Sequence, residues 1–358
     1  MKKVLLKFFG ENNLGDDLFA YIILKRYKND FYAYYTKYDA LKDFDNIHFK
    51  SNFFKRVLNK IVKELFNIHN FCEVQDKKKY DLMIEIGGSI FIESTKKHWL
   101  GRGRQYNKNY IPYYILGCNF GPYKTEDFLN LIKKNIFSNA EDICFRDKYS
   151  YNLFKDLKNI RYAQDVVFTL DTSYIKAKNS KKAIISVIDV DRKVKNGLKY
   201  KYEEKISDLT NFLDKKNYEI TFMSFCKKEG DELAIDSILQ KLDKSLREKV
   251  NVYKYSDNIE EALNIIADSQ IVVGSRFHAN ILGLVFGKTI IPIAYSDKTI
   301  NSLKDINFKG KIFDIRNIEN LYANELTDED LNYKLDITNI RENAKKQFEK
   351  LDKVLNLR

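Results

Sequence analysis

Residues 268–298, DSQIVVGSRFHANILGLVFGKTIIPIAYSDK, run through an apolar strand, an apolar helix and a second apolar strand, with a glycine near each junction. This order predicts a β-α-β unit with parallel strands, the repeating unit of α/β proteins. Arg276 and His278 fall in the first turn of the predicted helix, where the helix dipole is positive. Two potentially cationic side chains are unfavourable beside the positive end of a helix dipole, and a bound anion would offset this repulsion. The pattern therefore predicts a site for an anionic substrate, a phosphate or a carboxylate. The alternative is that Arg276 forms a buried salt bridge and His278 is an ordinary core residue.

The same alternation of short apolar strands and helical stretches continues along the chain, which predicts an α/β fold with parallel sheets. A chain of 358 residues is long enough for two domains. The predicted strands are 3–9, 31–35, 81–86, 112–118, 142–145, 183–188, 219–225, 251–255, 270–273 and 289–294. A polar, lysine-rich stretch without helix or strand period separates the two halves. We therefore predict an N-terminal domain over 1–172, a linker over 173–182, a C-terminal domain over 183–335, and a C-terminal helix over 336–358 that packs back on the body.

The composition indicates a globular protein with acidic partners. The net charge is +12, but the basic residues are spread along the chain and no nucleic-acid-binding pattern stands out, so nucleic acid is not an expected partner. Four cysteines without paired spacing predict reduced thiols and a cytoplasmic location. Only four histidines are present, and no metal-binding spacing occurs, so we expect no metal site. No apolar run reaches the ~20 residues of a membrane span, and we expect no signal peptide.

The segment GENNLGDDL, residues 10–18, follows the first predicted strand and opens a helix. Its glycine spacing imitates a P-loop, but Asp16 and Asp17 replace the lysine and the hydroxyl residue, and their carboxylates would repel a triphosphate. One interpretation is that Asp16 or Asp17 caps the helix. The other is that Asn13 and these aspartates bind sugar hydroxyl groups, or that one aspartate removes a hydroxyl proton.

Glycine-rich turns end two further strands, at Gly87-Gly88 and at residues 117–122, and such turns allow the backbone to approach a ligand closely. Between them, a basic loop carries the single tryptophan, Trp99, which could stack on a sugar or belong to a solvated loop. Arg146 follows the strand at 142–145 and is predicted to point into the same cleft, where its fork suits a carboxylate or phosphate.

The segment 50–66 has a broad apolar face with basic residues around it. This pattern is compatible with contact to an anionic membrane surface or with an ordinary surface helix whose lysines extend to solvent.

Taken together, the motifs GENNLGDD, IEIGGSIF, GCNFGP, FRDKYS and GSRFHANILGLVFGKTIIPIAYSDK resemble the polysaccharide pyruvyl transferase family. The last motif is the most specific, with its Arg-aromatic-His-Ala core followed by Tyr295 and Lys298. Gln164 departs from the family, which often has a proline before the aspartate. The resemblance implies a fold similar to GT-B glycosyltransferases, with two Rossmann-like domains and a central cleft. It also implies phosphoenolpyruvate as donor and a cell-surface sugar, carried on a polysaccharide, lipid or nucleotide, as acceptor.

By this resemblance, Arg276 and His278 hold and activate the donor, and Arg146 is a second anion clamp. Lys298 is a possible third clamp. His278 is either the proton donor or a phosphate ligand, and Asp16 or Asp17 orients or deprotonates the acceptor. The expected donor-binding set is Arg146, Ser275, Arg276, His278, Tyr295 and Lys298. The expected acceptor-binding set is Asn13, Asp16, Asp17, Gly87, Gly88 and Trp99. The reaction implies no cofactor beyond phosphoenolpyruvate as co-substrate.

Two other functions are compatible with the same residues. A nucleotide-sugar glycosyltransferase would share the fold and the basic site, and a non-catalytic glycan-binding protein would share the fold alone.

Overall fold

The computed structural model describes residues 1–106, 109, 111–176, 180–194 and 197–358. The chain forms two compact units. Unit 1 comprises Met1–Gly10, Phe19–Thr169 and Arg341–Arg358, and unit 2 comprises Glu11–Leu18 and Leu170–Ile340. The predicted domains placed residues 11–18 with the first unit, whereas the structure groups them with the second. Within the predicted linker, residues 177–179 lie outside the described residues.

Unit 1 is built on a seven-stranded sheet in which every paired strand is parallel. Its strands are β1 (Lys3–Lys7), β2 (Asp30–Ala33), β3 (Ile47–Phe49), β4 (Leu82–Ile86), β5 (Tyr113–Cys118), β6 (Asp142–Phe145) and β7 (Ile160–Tyr162). The order across the sheet is β3-β2-β1-β4-β5-β6-β7. All five residues of β4 are buried, as expected for a central parallel strand that is covered on both faces.

Unit 2 is built on a six-stranded parallel sheet. Its strands are β8 (Lys182–Ser186), β9 (Glu219–Ser224), β10 (Asn251–Lys254), β11 (Ile271–Gly274), β12 (Thr289–Ala294) and β13 (Phe313–Asp314). The order across the sheet is β10-β9-β8-β11-β12-β13.

Helices connect the strands of both sheets. The α-helices are α1 (Leu14–Arg26), α2 (Phe53–Phe66), α3 (Phe71–Asp76), α4 (Lys96–Gly103), α5 (Glu126–Asn135), α6 (Lys148–Phe154), α7 (Val190–Lys193), α8 (Lys199–Lys215), α9 (Asp231–Lys241), α10 (Lys244–Arg247), α11 (Ile259–Ala267), α12 (Phe277–Val285), α13 (Asp297–Asp305) and α14 (Thr338–Lys345). Short 3₁₀ helices lie at Asp39–Leu41, Lys77–Lys79, Arg104–Tyr106, Phe137–Asn139, Val166–Thr169, Lys227–Glu229, Ile315–Asn320, Ala323–Glu325 and Lys346–Phe348. No helix among the described residues is long and apolar enough to cross a membrane.

Both sheets share one winding pattern, because the first strand of each unit lies between its second and fourth strands. This is the doubly wound order, and it confirms the predicted α/β fold with two Rossmann-like domains. In such sheets, ligands bind beyond the carboxyl ends of the strands where the winding reverses. That point lies between β1 and β4 in unit 1 and between β8 and β11 in unit 2.

The C-terminal segment differs from the single long helix that was predicted. The α-helix ends at Lys345, and a 3₁₀ turn and further turns follow. Arg161 donates to the backbone carbonyls of Lys346 (2.7 Å) and Gln347 (3.2 Å). The Gln347 side chain accepts from the backbone N–H of Gly117 at 3.1 Å. These contacts compete with continued helix and hold the segment in unit 1.

Candidate functional site

Two of the predicted motifs meet in unit 2, at the first turn of α12. Gly15 lies so close to His278 that a Cβ atom on it would be 1.8 Å from the imidazole Nδ1. The backbone N–H of Leu14 donates to the carbonyl of Phe225 at 3.0 Å, which fixes residues 11–18 to the end of β9. The half-buried His278 therefore packs against the GENNLGDD segment, a contact that sequence spacing alone did not reveal.

Neither predicted aspartate caps α1. Asn13 is the cap, since its side-chain oxygen accepts from the backbone N–H of Gly15 at 3.1 Å. Asp17 is fully buried, and the hydroxyl of Tyr255 donates to its carboxylate at 2.6 Å. Asp17 is thus held by Tyr255, and its expected role in acceptor binding stays a prediction. Asp16 is partly exposed beside Gly15 and remains the candidate carboxylate of this segment.

Arg276 is buried, and its guanidinium is held by two carboxylates. Its Nε lies 3.1 and 3.0 Å from the two oxygens of Asp231, its Nη2 donates to the same carboxylate, and its Nη1 donates to Glu229. Asp231 also accepts from the backbone N–H groups of Phe225 and Cys226. The negative charge expected near the start of α12 is thus supplied by the carboxylates of Asp231 and Glu229. Arg276 forms the buried salt bridge that the sequence offered as the alternative to anion binding.

The charges around Arg276 cancel. Lys193 bonds Glu229 at 2.7 Å, so two cations face two carboxylates. Burial opposes the charge of Glu229, but Arg276 and Lys193 outweigh it and lower the pKa of Glu229 to about 2. Burial likewise opposes the charge of Arg276, but Asp231 and Glu229 raise its pKa above the ordinary value. This network offers little net positive charge to a substrate and instead fixes the start of α12.

Ser275 and Tyr295 contribute to the frame of this site. Ser275 is fully buried, its Oγ lies 2.7 Å from the Tyr202 hydroxyl, and its backbone N–H donates to Ser186 at 2.9 Å. The direct donor contact expected of Ser275 stays a prediction. Tyr295 packs its partly buried ring against the core of unit 2.

Lys298 lies beside the first turn of α12. Its Nζ is 5.0 Å from the centroid of the Phe277 ring, in a cation–π contact. The side chain is partly exposed. Lys298 and His278 are thus two partly exposed residues of the predicted donor-binding set that lie next to Phe277.

Arg146 occupies a structural position inside unit 1. Its Nη1 donates to Asp165 at 2.7 Å and its Nη2 donates to Asn119 at 2.9 Å. A Cβ atom on Gly88 would lie 2.3 Å from Nη2, so the paired glycines leave room for the guanidinium. Arg146 is almost fully buried, and its expected role as an anion clamp stays a prediction. It connects three of the sequence motifs, IEIGGSIF, GCNFGP and FRDKYS, with Asp165.

Trp99 packs in the core of unit 1 and also lines a cleft of that unit, and its stacking on an acceptor sugar stays a prediction. It is 2% exposed, stacks on Phe91 with a centroid separation of 5.9 Å, and donates from Nε1 to the carbonyl of Ile92 at 3.1 Å. Gly87 forms part of the turn after β4, where its backbone N–H donates to Leu116 at 3.3 Å.

A cleft of about 530 Å³ opens in unit 1 beyond the ends of β1 and β4. Its polar lining includes Lys7, Glu85, Ser89, Glu93, Ser94, Thr95, His98 and Arg102. Arg102 bonds Glu85 at 2.7 Å. Burial opposes the charge of Glu85, but Lys7 and Arg102 outweigh it and lower its pKa to about 2. Trp99, which was expected to bind the acceptor, lines this cleft as well. The carboxylate of Glu85, within the IEIGG motif, was not among the predicted site residues.

The described residues contain no group of three or more His, Cys, Asp or Glu side chains that could hold a metal ion. The four cysteines are buried and free.

Comparison with known proteins identifies the family. The model of the family described as "Polysaccharide pyruvyl transferase" matches residues 13–297, which includes both the GENNLGDD segment from Asn13 onward and the α12 motif. The chain belongs to the polysaccharide pyruvyl transferase family. This confirms the resemblance inferred from the motifs.

One curated relative is the amylovoran biosynthesis protein AmsJ of Erwinia amylovora, which is 21% identical over 265 residues. The match spans 67% of this chain and 63% of AmsJ, so the chain covers less than two thirds of that relative's length.

Solved structures show the same fold at low identity. The UDP-GlcNAc 2-epimerase of Methanocaldococcus jannaschii is 12% identical with a TM-score of 0.58, and 98% of each chain is covered. Anabaena HepE, solved in complex with UDP-glucose, is 12% identical with a TM-score of 0.55, covering 98% of this chain and 96% of that chain. These similarities confirm the predicted GT-B-like fold of a pyruvyl transferase family member and carry no further conclusion about its ligands.

Proposed function

We propose that this protein transfers the pyruvyl group of phosphoenolpyruvate to a sugar of a cell-surface polysaccharide or its precursor, forming a ketal and releasing phosphate. The observation that carries the proposal is the packing of Gly15 against His278, because it brings the most specific motif of the family and the GENNLGDD motif into one site. We also propose a cytoplasmic location, in keeping with four free cysteines.

The donor is assigned to the first turn of α12. Phosphoenolpyruvate carries a phosphate and a carboxylate, and the Arg276 network already balances its own charges. The donor's charge is therefore met by Lys298, by protonated His278 and by backbone N–H groups at the start of α12. Arg276 acts as a positioning residue that holds this turn in place.

The chemistry requires one proton donor and one proton acceptor. His278 donates a proton to the methylene carbon of phosphoenolpyruvate, which becomes a methyl group and leaves a cationic centre at C2. One sugar hydroxyl attacks C2 and loses its proton to Asp16. Phosphate then leaves with its bridging oxygen and takes the proton from Asp16, and a second hydroxyl closes the ketal while its proton restores His278. The reaction needs no metal or organic cofactor, since the donor contains its own leaving group.

The acceptor is assigned to the cleft in unit 1. Its position beyond β1 and β4 is where doubly wound sheets bind ligands, and its lining contains hydroxyl groups suited to sugar hydrogen bonds. Ser89, Ser94 and His98 are the side chains we assign to acceptor contact. The acceptor sugar is carried on a lipid or a nucleotide.

The test is ligand-induced stabilisation, since a ligand that binds only the folded state raises its melting temperature. We expect phosphoenolpyruvate to stabilise the protein and the shift to disappear in Lys298→Met and His278→Gln. The exposed His48→Gln serves as the control and should keep the shift. Stabilisation by UDP or UDP-sugars alone, ligands seen with HepE, would favour a glycosyltransferase. Unchanged binding of every ligand in both variants would favour a non-catalytic glycan-binding protein.

A further inference from the structure

Helix α2 exposes a continuous apolar surface to solvent. Seven large apolar side chains of this helix are between 40% and 80% exposed. They form what we call the α2 apolar face: Phe53, Phe54, Val57, Leu58, Ile61, Leu65 and Phe66. Single exposed apolar residues are common on protein surfaces, but a contiguous set of this size marks an interaction surface.

The helix is held to unit 1 by its other side. Val62 is buried, the Asn59 side chain accepts from the backbone N–H of Cys72 at 2.8 Å, and Lys55 pairs with Asp76 at 3.2 Å. Both ends are capped, by the Asn52 side chain and by a left-handed Asn67. The helix is thus fixed to unit 1 and capped at both ends, while its apolar face is exposed to solvent.

Positive charge lies next to this face. Arg56, Lys60 and Lys63 are exposed, and their spacing places them on one flank of the helix at 100° per residue. We call them the basic flank. Glu64, the only acidic residue of α2, falls by the same spacing at the boundary between the basic flank and the apolar face. The side chain of Asn67 donates to the backbone carbonyl of Lys97 at 2.7 Å. This contact places two further exposed lysines, Lys96 and Lys97, beside the end of α2.

We propose that the α2 apolar face inserts into the surface of an anionic lipid bilayer, with the basic flank at the level of the lipid headgroups. A capped helix of 14 residues with an apolar face and adjacent lysines has the form of interfacial membrane helices. Charge complementarity favours the bilayer over a second copy of the chain, because a second copy would bring the same excess of positive charge into the contact. The proposal does not depend on pyruvyl transfer.

The apolar part is tested by sedimentation with vesicles of phosphatidylcholine containing about a third phosphatidylglycerol, the composition at which charge-assisted binding is strong. We expect Phe54→Ser with Leu65→Ser to reduce the bound fraction at least about tenfold, because two large apolar groups no longer enter the bilayer. Leu233→Ser on α9 is the matched control, since Leu233 is also a largely exposed helical leucine, and it should bind as the wild type does.

The charged part is tested with Arg56→Glu, Lys60→Glu and Lys63→Glu combined. The control is Lys215→Glu, Lys244→Glu and Lys249→Glu, which changes the net charge equally at exposed positions of unit 2. We expect the first set to abolish binding to anionic vesicles and the second to leave it within about twofold, because only charges at the bilayer surface interact with it. Unchanged circular dichroism spectra confirm that each variant is folded.

Three results would overturn the proposal. The first is wild-type protein that stays in the supernatant with anionic vesicles, and the second is α2 variants that sediment as the wild type does. A wild-type dimer that Phe54→Ser with Leu65→Ser converts to a monomer would assign the face to a second copy instead.

Discussion

A Cβ atom on Gly15 would lie 1.8 Å from Nδ1 of His278. Gly15 is the second residue of α1, a position whose helical backbone any residue can adopt, so backbone freedom does not explain the glycine. The imidazole does, because it occupies the space that a side chain would need. The position of His278 thus requires a residue without a side chain at position 15 of the GENNLGDD motif.

Gly15→Ala should therefore impair the site more than the fold. The methyl group must displace His278 or the start of α1, and a misplacement of about 1 Å in a catalytic group costs on the order of 100-fold in rate. We expect kcat/KM for phosphoenolpyruvate-dependent phosphate release to fall by about that factor. Gly103→Ala is the control, since its new Cβ would meet no atom closer than 3.9 Å. Wild-type activity in Gly15→Ala would show that the contact has no catalytic meaning.

Asp231→Asn should destabilise unit 2. Removing one partner of a buried ion pair leaves the other charge poorly compensated, and we expect a loss of about 3 kcal/mol in the free energy of unfolding. The neighbouring Glu232 lies 3.9 Å from two lysines, and Glu232→Gln should cost less than about 1 kcal/mol. Urea unfolding followed by circular dichroism measures both variants, whereas fluorescence of the single Trp99 reports on unit 1. Equal stability of the two variants would contradict the structural role assigned to Asp231.

Glu229 predicts a specific acid dependence of stability. Its pKa falls from an ordinary 4.5 to about 2 in the folded protein, so the unfolded chain binds the proton first as the pH drops. Its contribution to stability is complete above pH 4.5 and is lost as the pH falls towards 2. In Glu229→Gln the decline between pH 4.5 and 2.5 should be shallower than in the wild type. Parallel curves for the two proteins would show that Glu229 ionises as it does in solvent.

Lys77 predicts a second rise of stability with pH, in the neutral to alkaline range. Burial, together with the charge of Lys7, lowers the pKa of Lys77 from 10.5 to about 7, and its ammonium donates to the carbonyl of Gln105. Between these values the unfolded chain holds a proton that the folded chain has released, so stability rises with pH by up to roughly 1 kcal/mol per unit. Lys77→Met should remove this rise, and the exposed Lys78→Met should retain it. A rise that persists in Lys77→Met would assign it to other groups.

Much of the fold was predictable because hydrophobic pattern and turn residues specify parallel strands locally. All ten predicted strands exist, and the three that were missed, β3, β7 and β13, are edge strands of two or three residues. Such short strands carry no measurable period. The C-terminal helix was predicted too long because Arg161 and Gln347, which end it, act through tertiary contacts.

The site was predictable only as a set of motifs. The partners of Arg276 lie 47 and 45 residues away, at Glu229 and Asp231, and charge patterning along the chain does not pair residues at that separation. The same holds for Arg146, whose partners Asn119 and Asp165 belong to other strand ends. An arginine at a strand end is equally suited to a ligand and to an internal carboxylate, and only the fold distinguishes them.

The most direct test of pyruvyl transfer uses phosphoenolpyruvate labelled with ¹³C at C2, incubated with a panel of sugars that present free hydroxyl pairs. The account predicts a new quaternary ketal carbon in the NMR spectrum, phosphate in equal amount, and no product with His278→Gln. Label that stays in phosphoenolpyruvate with every acceptor, while UDP-sugars are turned over to UDP by the same preparation, would contradict it.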